Sequence, residues 1–219
     1  VFDFGPMGPD WNPGHGHADA LSFEFYANNL PLIVDRGTYT YHEQPWRDNF
    51  RGTSAHNTLV VDGKDQSELW GSFRVGQIAR CRLLEWETSS DVDLVSAEHD
   101  GYTRLRNPVY HKRKIRYHKP DQWYIDDVVC GTGEHFFEVM FHFSNYVNIY
   151  PVDENVYQIT DLEHQDFMTL SHVLPPNCQH MVESGWISEG WYQKHRAPVL
   201  RYTYLGKPPL RWQFVFKLA

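Results

Sequence analysis

The sequence predicts an all-β protein, a sandwich or barrel built from many short strands. Three observations support this class. Apolar and polar residues alternate in several runs, which is the period of a half-buried strand. Turn-forming clusters of Gly, Pro, Asn and Asp separate these runs. No segment shows the capped 3.6-residue repeat of a long helix. At 219 residues, the chain is long enough for one large domain with a substantial core.

The predicted strands succeed one another along the whole chain. Leu21, Phe23 and Phe25 alternate with polar residues, which indicates a strand with one buried face. Further on, Asp62-Gly63 ends an apolar run and is a tight-turn dipeptide. The other predicted strands lie at residues 56–61, 79–83, 137–143 and 211–218.

Residues 1–14 are rich in glycine and proline, and we expect them to form an irregular N-terminal arm. Residues 15–219 then make up a single sandwich domain, because no linker, internal repeat or low-complexity tract interrupts them. No stretch approaches the roughly 18 consecutive apolar residues of a membrane span.

Charge excludes one class of function. The net charge is −8, from 20 Lys and Arg against 28 Asp and Glu, whereas a protein held by phosphate contacts needs a basic surface. We therefore expect no nucleic-acid partner. Five basic residues nevertheless lie near the histidines in the first third of the chain. They form either a positively charged binding cleft or an ordinary solvated surface. These residues are Arg36, Arg47, Arg51, Lys64 and Arg74.

Histidines and carboxylates concentrate in the same third of the chain. His15 and His17 stand in Gly14-His15-Gly16-His17-Ala18-Asp19, and Asp35 and His56 follow in two further runs. Two imidazoles and one carboxylate form a zinc donor set that leaves one coordination position open. If residues 15–19 are extended, His15, His17 and Asp19 project to one side, although the glycines permit other paths.

Four segments carry a resemblance to a known family: GHGHADALSFEFYANNLPLIVDRGTYTY, WRDNFRGTSAHNTLVVDGKDQSE, AEHDGY and GWISEGWYQKHRAPVLRY. Together they resemble the heparinase II/III-like family of polysaccharide lyases, from about His15 nearly to the C-terminus. The resemblance implies a large antiparallel β-sandwich that follows an N-terminal α/α toroid. The toroid is absent from this chain, which starts at Val1 without an initiator methionine or signal peptide. We therefore expect a domain taken from a longer protein, with the toroid as its partner in the cleft.

The resemblance implies that His17, Asp35 and His56 bind Zn²⁺ or another divalent metal in a structural role. A buried carboxylate needs such a partner, because an isolated desolvated charge is costly. Asp19 is the alternative carboxylate ligand, or an acceptor for the second nitrogen of a ligand histidine. The other interpretation of the three residues is a metal-free hydrogen-bonded cluster.

The implied activity is β-elimination on a uronate-containing acidic polysaccharide, with His15 as a catalytic acid or base. Histidine suits this role because its side chain titrates near neutral pH. Tyr39 and Tyr41 are candidate phenolic acid/base groups, and the residues do not decide between them or exclude packing roles. The alternative for His15 is a purely structural role, in which it packs against the glycine-rich loop.

Arg47 and Arg51 are candidate ligands for substrate carboxylates, through their forked guanidinium groups. Salt bridges to Asp48 or Glu43 are an equal alternative. His99 is a further candidate substrate ligand, and its alternative is a turn histidine that satisfies backbone groups.

A non-catalytic module, binding carbohydrate or supporting a partner domain, is the main alternative function. A glycoside hydrolase with two carboxylates is another. No G-x-S-x-G elbow, H-E-x-x-H motif or nucleotide-binding glycine loop occurs. The resemblance suggests a periplasmic or secreted bacterial protein, although the chain itself carries no export signal.

Overall fold

Two antiparallel sheets form the body of the structure, a computed structural model that describes residues 1–219. One helix, α1 (Trp46–Arg51), and two 3₁₀ turns, Pro13–His15 and Thr53–Ala55, accompany them. The strands are β1 (Phe25–Ala27), β2 (Leu30–Ile33), β3 (Leu59–Val61), β4 (Leu69–Trp70), β5 (Arg74–Val75), β6 (Cys81–Thr88), β7 (Val92–His99), β8 (Val109–His118), β9 (Gln122–Gly131), β10 (His135–His142), β11 (Val147–Asp153), β12 (Val156–Asp161), β13 (Asp166–Val173), β14 (Gln179–Gly190), β15 (Gln193–Gly206) and β16 (Leu210–Leu218).

The large sheet has eight strands in the order β11-β12-β13-β16-β9-β8-β7-β6, and the small sheet has four in the order β14-β15-β10-β3. Hairpins β1-β2 and β4-β5 lie outside both sheets. Every pairing is antiparallel. The predicted all-β antiparallel sandwich is confirmed.

The core lies between the two sheets and is rich in aromatic rings. Phe137 and Phe141 of β10 face Phe214 and Phe216 of β16, and all four are at most 1% exposed. The rings of Phe141 and Phe214 meet edge to face with centroids 4.7 Å apart, an arrangement favoured by the ring quadrupoles. The alternation seen in the sequence therefore marks the inner faces of both sheets.

The opposite face of the small sheet is also partly covered. Val60, Met140 and Val199, from three adjacent strands, are 3%, 7% and 4% exposed and form a separate apolar cluster. Because neighbouring residues on a strand point to opposite faces, this cluster lies outside the main core.

Three predicted strands differ from the observed ones. The strand predicted from Leu21 begins at Phe25, because a turn at Ala20 and Leu21 precedes it. In this turn the backbone N–H of Ser22 donates to the carbonyl of Asp19, and Leu21 has a φ of 61°. His56 follows the Thr53–Ala55 turn, so that strand begins at Leu59 instead. The strand predicted from Ala79 begins at Cys81. The Asp62-Gly63 turn is confirmed, with positive φ at both residues.

The N-terminal residues run along the edge of the sandwich. Phe2 pairs with Phe23 as an isolated bridge, and the backbone N–H of Asp3 donates to the carbonyl of Ser22. The chain contains no helix long and apolar enough to cross a membrane.

Candidate metal centre and catalytic surface

His17, Asp35 and His56 meet at one edge of the small sheet. One ligand atom from each lies within 4.8 Å of the other two. Asp35 comes just after the apolar strand β2, and His56 just after the Thr53–Ala55 turn. His56 donates from Nδ1 to Oδ2 of Asp35 at 2.6 Å, and the imidazole rings of His17 and His56 have centroids 5.3 Å apart. The structure therefore brings together the three residues predicted as metal ligands.

Charge and burial oppose each other at this cluster. Burial favours the neutral form of Asp35, but the charge of His56 and hydrogen bonds from His56 and Gly37 lower the pKa of Asp35 to about 2. Burial disfavours charge on His56 as well, yet Asp35 raises the pKa of this histidine. Burial and the charge of His56 lower the pKa of His17 to about 3. These shifts favour a charged Asp35 hydrogen-bonded to His56, beside a neutral His17.

The donor set fits zinc, which takes imidazole nitrogen and carboxylate oxygen. His56 is fully buried, and its Nε2 has no hydrogen-bond partner, which is costly for an enclosed polar atom. In the conformation seen here Arg47 donates from Nη1 to Nε2 of His17 at 3.1 Å. A metal ion would compete with that contact and with the hydrogen bond between His56 and Asp35.

Asp19, the alternative carboxylate, lies near the same cluster. Burial raises the pKa of Asp19 to about 6, against the opposing effect of His56, while Asp3 and Asp35 add repulsion. Asp19, Asp3 and Asp35 line one small acidic cavity of about 120 Å³.

Helix α1 packs against the segment that carries His15 and His17. Arg47 and Arg51 stand four residues apart, on one face of the helix, and both are fully buried. Arg51 donates from Nε to the carbonyl of Gly16 at 2.9 Å. A side chain at Gly16 would overlap the carbonyl oxygen of Met7. Arg51 therefore holds the backbone next to His17, and Arg47 contacts the His17 side chain.

The predicted roles of Arg47 and Arg51 in substrate binding are not supported, because neither guanidinium reaches the surface. The alternative of salt bridges to Asp48 or Glu43 is also wrong. Arg51 donates only to backbone carbonyls, whereas Arg47 donates to a backbone carbonyl and to the imidazole of His17, and Ser72 accepts from both arginines. Their Nη2 atoms are enclosed without a partner.

His15 is separated from the metal cluster by the local backbone. An extended path was one of the possibilities for residues 15–19, but it does not include His15, because Pro13–His15 forms a 3₁₀ turn. The exposed imidazole of His15 instead packs against Tyr41 and Phe73, with ring centroids 5.1 and 5.3 Å away. Trp191 continues this aromatic surface, with its ring 4.8 Å from that of Tyr41.

Tyr39 and Tyr41 have different surroundings although they are two residues apart. Tyr41 contacts His15, and the Arg47 guanidinium lies 4.8 Å from its ring centroid. Tyr39 faces the other way and stacks on Phe50, with centroids 5.6 Å apart. Of the two tyrosines, only Tyr41 adjoins His15.

The hairpin of β14 and β15 clamps the segment that follows Asp35. Ser188 and Tyr192 donate backbone N–H groups to the carbonyls of Arg36 and Tyr39, at 2.8 and 3.0 Å. Gly37 has a φ of 79°, and a Cβ there would overlap the carbonyl of Ser188. The late sequence segment GWISEGWYQKHRAPVLRY thus holds in place the residues that follow Asp35.

Lys194 completes the clamp within a cage of aromatic rings. Its Nζ lies 3.4 Å from the ring centroid of Trp46, 4.4 Å from that of Tyr39 and 5.2 Å from that of Trp186. A cation over aromatic faces is attracted by the ring quadrupole.

Asn57 is a structural residue that sequence reasoning missed. It is fully buried, and its Nδ2 donates to the carbonyls of Phe23 and Val34 at 2.8 and 2.9 Å. Its Oδ1 accepts from the backbone N–H of His142 at 2.7 Å. The only signal available was its position next to His56.

His99 is buried rather than facing a cleft, so the structure does not support the predicted contact with substrate. It is 1% exposed and accepts from the N–H of Gly101 at 3.1 Å, which is the turn role considered as its alternative. Its Nε2 lies 3.3 Å from Nδ1 of His111, whose Nε2 donates to Asp127 at 2.8 Å. This buried chain of hydrogen bonds extends to Arg113, which pairs with Asp127 at 2.7 Å.

Fold and cluster together define an antiparallel β-sandwich domain with a His–Asp–His donor set at its edge. Residues 1–213 match the family model described as "Heparinase II/III-like, C-terminal". The chain belongs to this family, and the predicted resemblance is confirmed.

Named relatives include polysaccharide lyases. The chain is 31% identical over 97 residues to an alginate lyase of Stenotrophomonas maltophilia, covering 38% of this chain and 12% of that protein. It is 28% identical over 111 residues to an exo-oligoalginate lyase of Saccharophagus degradans, covering 43% of this chain and 14% of that protein.

Solved structures show the same fold. A heparan sulfate lyase from Pedobacter heparinus superimposes with a TM-score of 0.81 at 17% identity, over all of this chain and 32% of that one. A heparinase III gene product gives a TM-score of 0.81 at 21% identity, with the same coverage. At these identities the likeness concerns the fold. The chain spans about a third of the length of these structures.

Proposed function

We propose that this chain is the β-sandwich domain of a polysaccharide lyase that cleaves a uronate-containing acidic polysaccharide by β-elimination. The observation that carries the proposal is the exposed imidazole of His15, set against the ring of Tyr41 on an aromatic surface. Membership of the family supports lyase chemistry, and the names of the relatives point to alginate and heparan sulfate. Both polymers contain uronic acids.

The reaction needs an acid, a base and neutralisation of one charge. A base takes the C5 proton next to the uronate carboxyl, and the electron pair forms a double bond between C4 and C5. The bond from C4 to the glycosidic oxygen breaks, and an acid protonates the leaving oxygen. Neutralising the carboxylate stabilises the charge that develops at C5.

His15 and Tyr41 are assigned to proton transfer. General acid–base catalysis requires groups within hydrogen-bond reach of the transferred proton, and both side chains border the same solvent-facing surface. Tyr39 is not assigned a catalytic role, because its ring belongs to the cage around Lys194. Arg47 and Arg51 act indirectly: Arg51 holds the backbone between His15 and His17, and Arg47 contacts the imidazole of His17.

Zinc bound by His17, Asp35 and His56 would supply structural cross-linking rather than reactive chemistry. The three ligands come from the His15 segment, the end of β2 and the turn before β3. Joining them would hold the His15 segment against the small sheet. The proposed N-terminal α/α toroid of the full-length protein would complete the cleft and neutralise the substrate carboxylate.

The full-length protein tests the proposal when it is incubated with alginate, heparan sulfate and hyaluronan. Elimination creates an unsaturated uronate that absorbs ultraviolet light, whereas hydrolysis does not. We expect absorbance to increase with at least one polymer and to be abolished in His15→Ala, with folding and metal content unchanged. His195→Ala, an exposed histidine on β15, is the matched control.

Two outcomes would contradict the lyase assignment. Chain cleavage without the unsaturated product would indicate a glycoside hydrolase. Binding of a polymer with no cleavage, unaffected by His15→Ala, would indicate the non-catalytic carbohydrate-binding or supporting module.

A further inference from the structure

Two hairpin turns carry exposed aromatic rings beside His15 and Tyr41. Phe73 lies in the turn between β4 and β5, and Trp191 lies in the turn between β14 and β15. Phe73 is 41% exposed and Trp191 is 56% exposed. Apolar side chains gain free energy when they leave water, and adjoining exposed rings mark a surface that binds another molecule.

Buried arginines fix the position of the first turn. Arg47 donates from Nε and Arg51 from Nη1 to the carbonyl of Ser72, at 3.1 and 3.2 Å. A side chain at Gly14 would overlap the carbonyl oxygen of Phe73, so this glycine lets the turn approach the segment that carries the first histidine. The ring of Phe73 therefore stands on a backbone that is held in place.

The second turn is held by the residue that follows Trp191. The backbone N–H of Tyr192 donates to the carbonyl of Tyr39 at 3.0 Å. The ring of Trp191 meets that of Tyr41 nearly at a right angle, with an interplanar angle of 74° and centroids 4.8 Å apart. This contact orients the indole but covers less than half of the residue.

Trp191 and His15 belong to one surface because both contact Tyr41. The centroid distances to Tyr41, 5.1 and 4.8 Å, place the rings of His15 and Trp191 no more than 9.9 Å apart. A polysaccharide bound for proton transfer at His15 therefore passes beside Trp191. A protein domain packed tightly onto this indole would restrict access to the imidazole that the substrate must reach.

An exposed indole suits the face of a sugar ring. A pyranose carries its hydroxyl groups around the edge and C–H groups on its faces. The face of an aromatic ring is negative, so it attracts the slightly positive C–H hydrogens, and the contact also removes apolar surface from water. This recognition depends on the sugar ring and not on its carboxylate.

We propose that Trp191 is a stacking platform that binds a pyranose ring of the substrate, next to the ring at which His15 acts. The inference rests on the proposed lyase function and adds a residue that selects the substrate. The stacking contact is the same in the bound substrate and in the transition state. It therefore strengthens binding without accelerating the chemical step.

Steady-state kinetics of the full-length protein on alginate and heparan sulfate provide the first test. Trp191→Ala should raise KM about tenfold, as expected for the truncation of a tryptophan that anchors a ligand, and should leave kcat nearly unchanged. Trp191→Phe keeps a ring and should retain most of the affinity. Trp191→Leu is apolar without a ring and should bind as weakly as Trp191→Ala. Trp86→Ala, at a residue 64% exposed on β6 of the large sheet, is the matched control.

Binding without turnover separates this inference from the lyase proposal. Calorimetric titration of the His15→Ala protein with alginate and heparan sulfate tetrasaccharides gives the Kd, which should rise about tenfold when Trp191→Ala is added. Sensitivity of the Kd to Trp191, together with a wild type that never produces the unsaturated uronate, would contradict the lyase assignment and leave the platform standing.

Three results would overturn the platform. One is the absence of binding of either tetrasaccharide, and another is a Kd that is the same with and without Trp191. The third is equal binding by Trp191→Leu and Trp191→Phe, because the position would then need only apolar bulk, as in packing against another domain. The comparison of Leu with Phe decides the question even if Trp191→Ala fails to fold.

Discussion

Asn57 donates from Nδ2 to the backbone carbonyl of Val34 at 2.9 Å, one residue before Asp35. The same amide reaches the carbonyl of Phe23 and the N–H of His142. One side chain therefore joins the turn that carries His56, the strand end that carries Asp35 and β10, an inner strand of the small sheet. The geometry of the candidate metal centre depends on this buried amide as much as on the ligands themselves.

Replacing Asn57 by alanine should lower the free energy of unfolding by about 3 kcal/mol, because it leaves buried backbone groups unpaired. Chemical denaturation followed by intrinsic fluorescence measures this change. Asn49→Ala, at an exposed position of α1, is the control and should be nearly neutral. Equal stability of the two variants would show that the Asn57 contacts contribute little.

Zinc should bind near-stoichiometrically to the wild-type protein, and His17→Ala should lose it. Elemental analysis after zinc loading and dialysis measures the content directly. The bound metal should also raise the unfolding temperature of the wild type, since a ligand that binds only the folded state stabilises it. His195→Ala should retain both properties. A wild type that stays free of metal would favour the hydrogen-bonded cluster instead.

Stability should fall as pH is lowered from about 6.5 to 4, and His172 should contribute to the effect. Burial and the charge of His180 lower the pKa of His172 to about 4. Between pH 6.5 and about 4, His172 is protonated in the unfolded chain but stays neutral in the folded protein. The free energy of unfolding therefore falls by up to about 1.4 kcal/mol for each pH unit.

His172→Phe should make the stability curve flatter over this pH interval, as measured by urea unfolding at pH 7, 6, 5 and 4.5. His195→Phe, at an exposed site, should leave the slope unchanged. If stability changes with pH by the same slope in the wild type and in His172→Phe, then His172 is not held neutral in the folded protein.

Lys194→Met should destabilise the protein by about 1–2 kcal/mol, because it removes a cation held between three aromatic rings. Lys194→Arg should retain most of the stability, since it keeps the charge. Hydrogen exchange should be faster in Lys194→Met at the amides of Ser188 and Tyr192, which donate to the clamped segment. Lys207→Met, at an exposed turn position, serves as the control. Unchanged exchange in Lys194→Met would mean that the cage does not hold the hairpin down.

Much of the fold was predictable because its signals are local. Alternation along Phe137–Phe143 and Trp212–Leu218 marks strands whose inner residues are buried, and Asp62-Gly63 marks a turn. The alternation from Leu21 misled the same reasoning, because the hydrogen bond between Ser22 and Asp19 closes a turn where a strand was predicted, and the strand begins only at Phe25. Periodicity reports which side chains are apolar, but it does not report the competing backbone contacts.

The candidate site likewise combines features that the sequence predicted with features that it did not. The family resemblance implied His17, Asp35 and His56 as metal ligands, and the structure brings these three side chains together. Neither the burial of Arg47 and Arg51 nor the separation of His15 from that set followed from spacing. The helix turns both guanidinium groups inward, and a 3₁₀ turn takes His15 away from the extended path.

The sequence by itself determined the sheet-forming pattern, the family and the chemistry available in its first third, because these reside in residue types and near neighbours. Tertiary structure alone decided that Tyr41 rather than Tyr39 adjoins His15, and that Lys194 clamps a segment about 150 residues away. It also decided that Asn57 links the backbone of Phe23, Val34 and His142. These are contacts between distant parts of the chain, which depend on strand order and packing, and no local pattern encodes them.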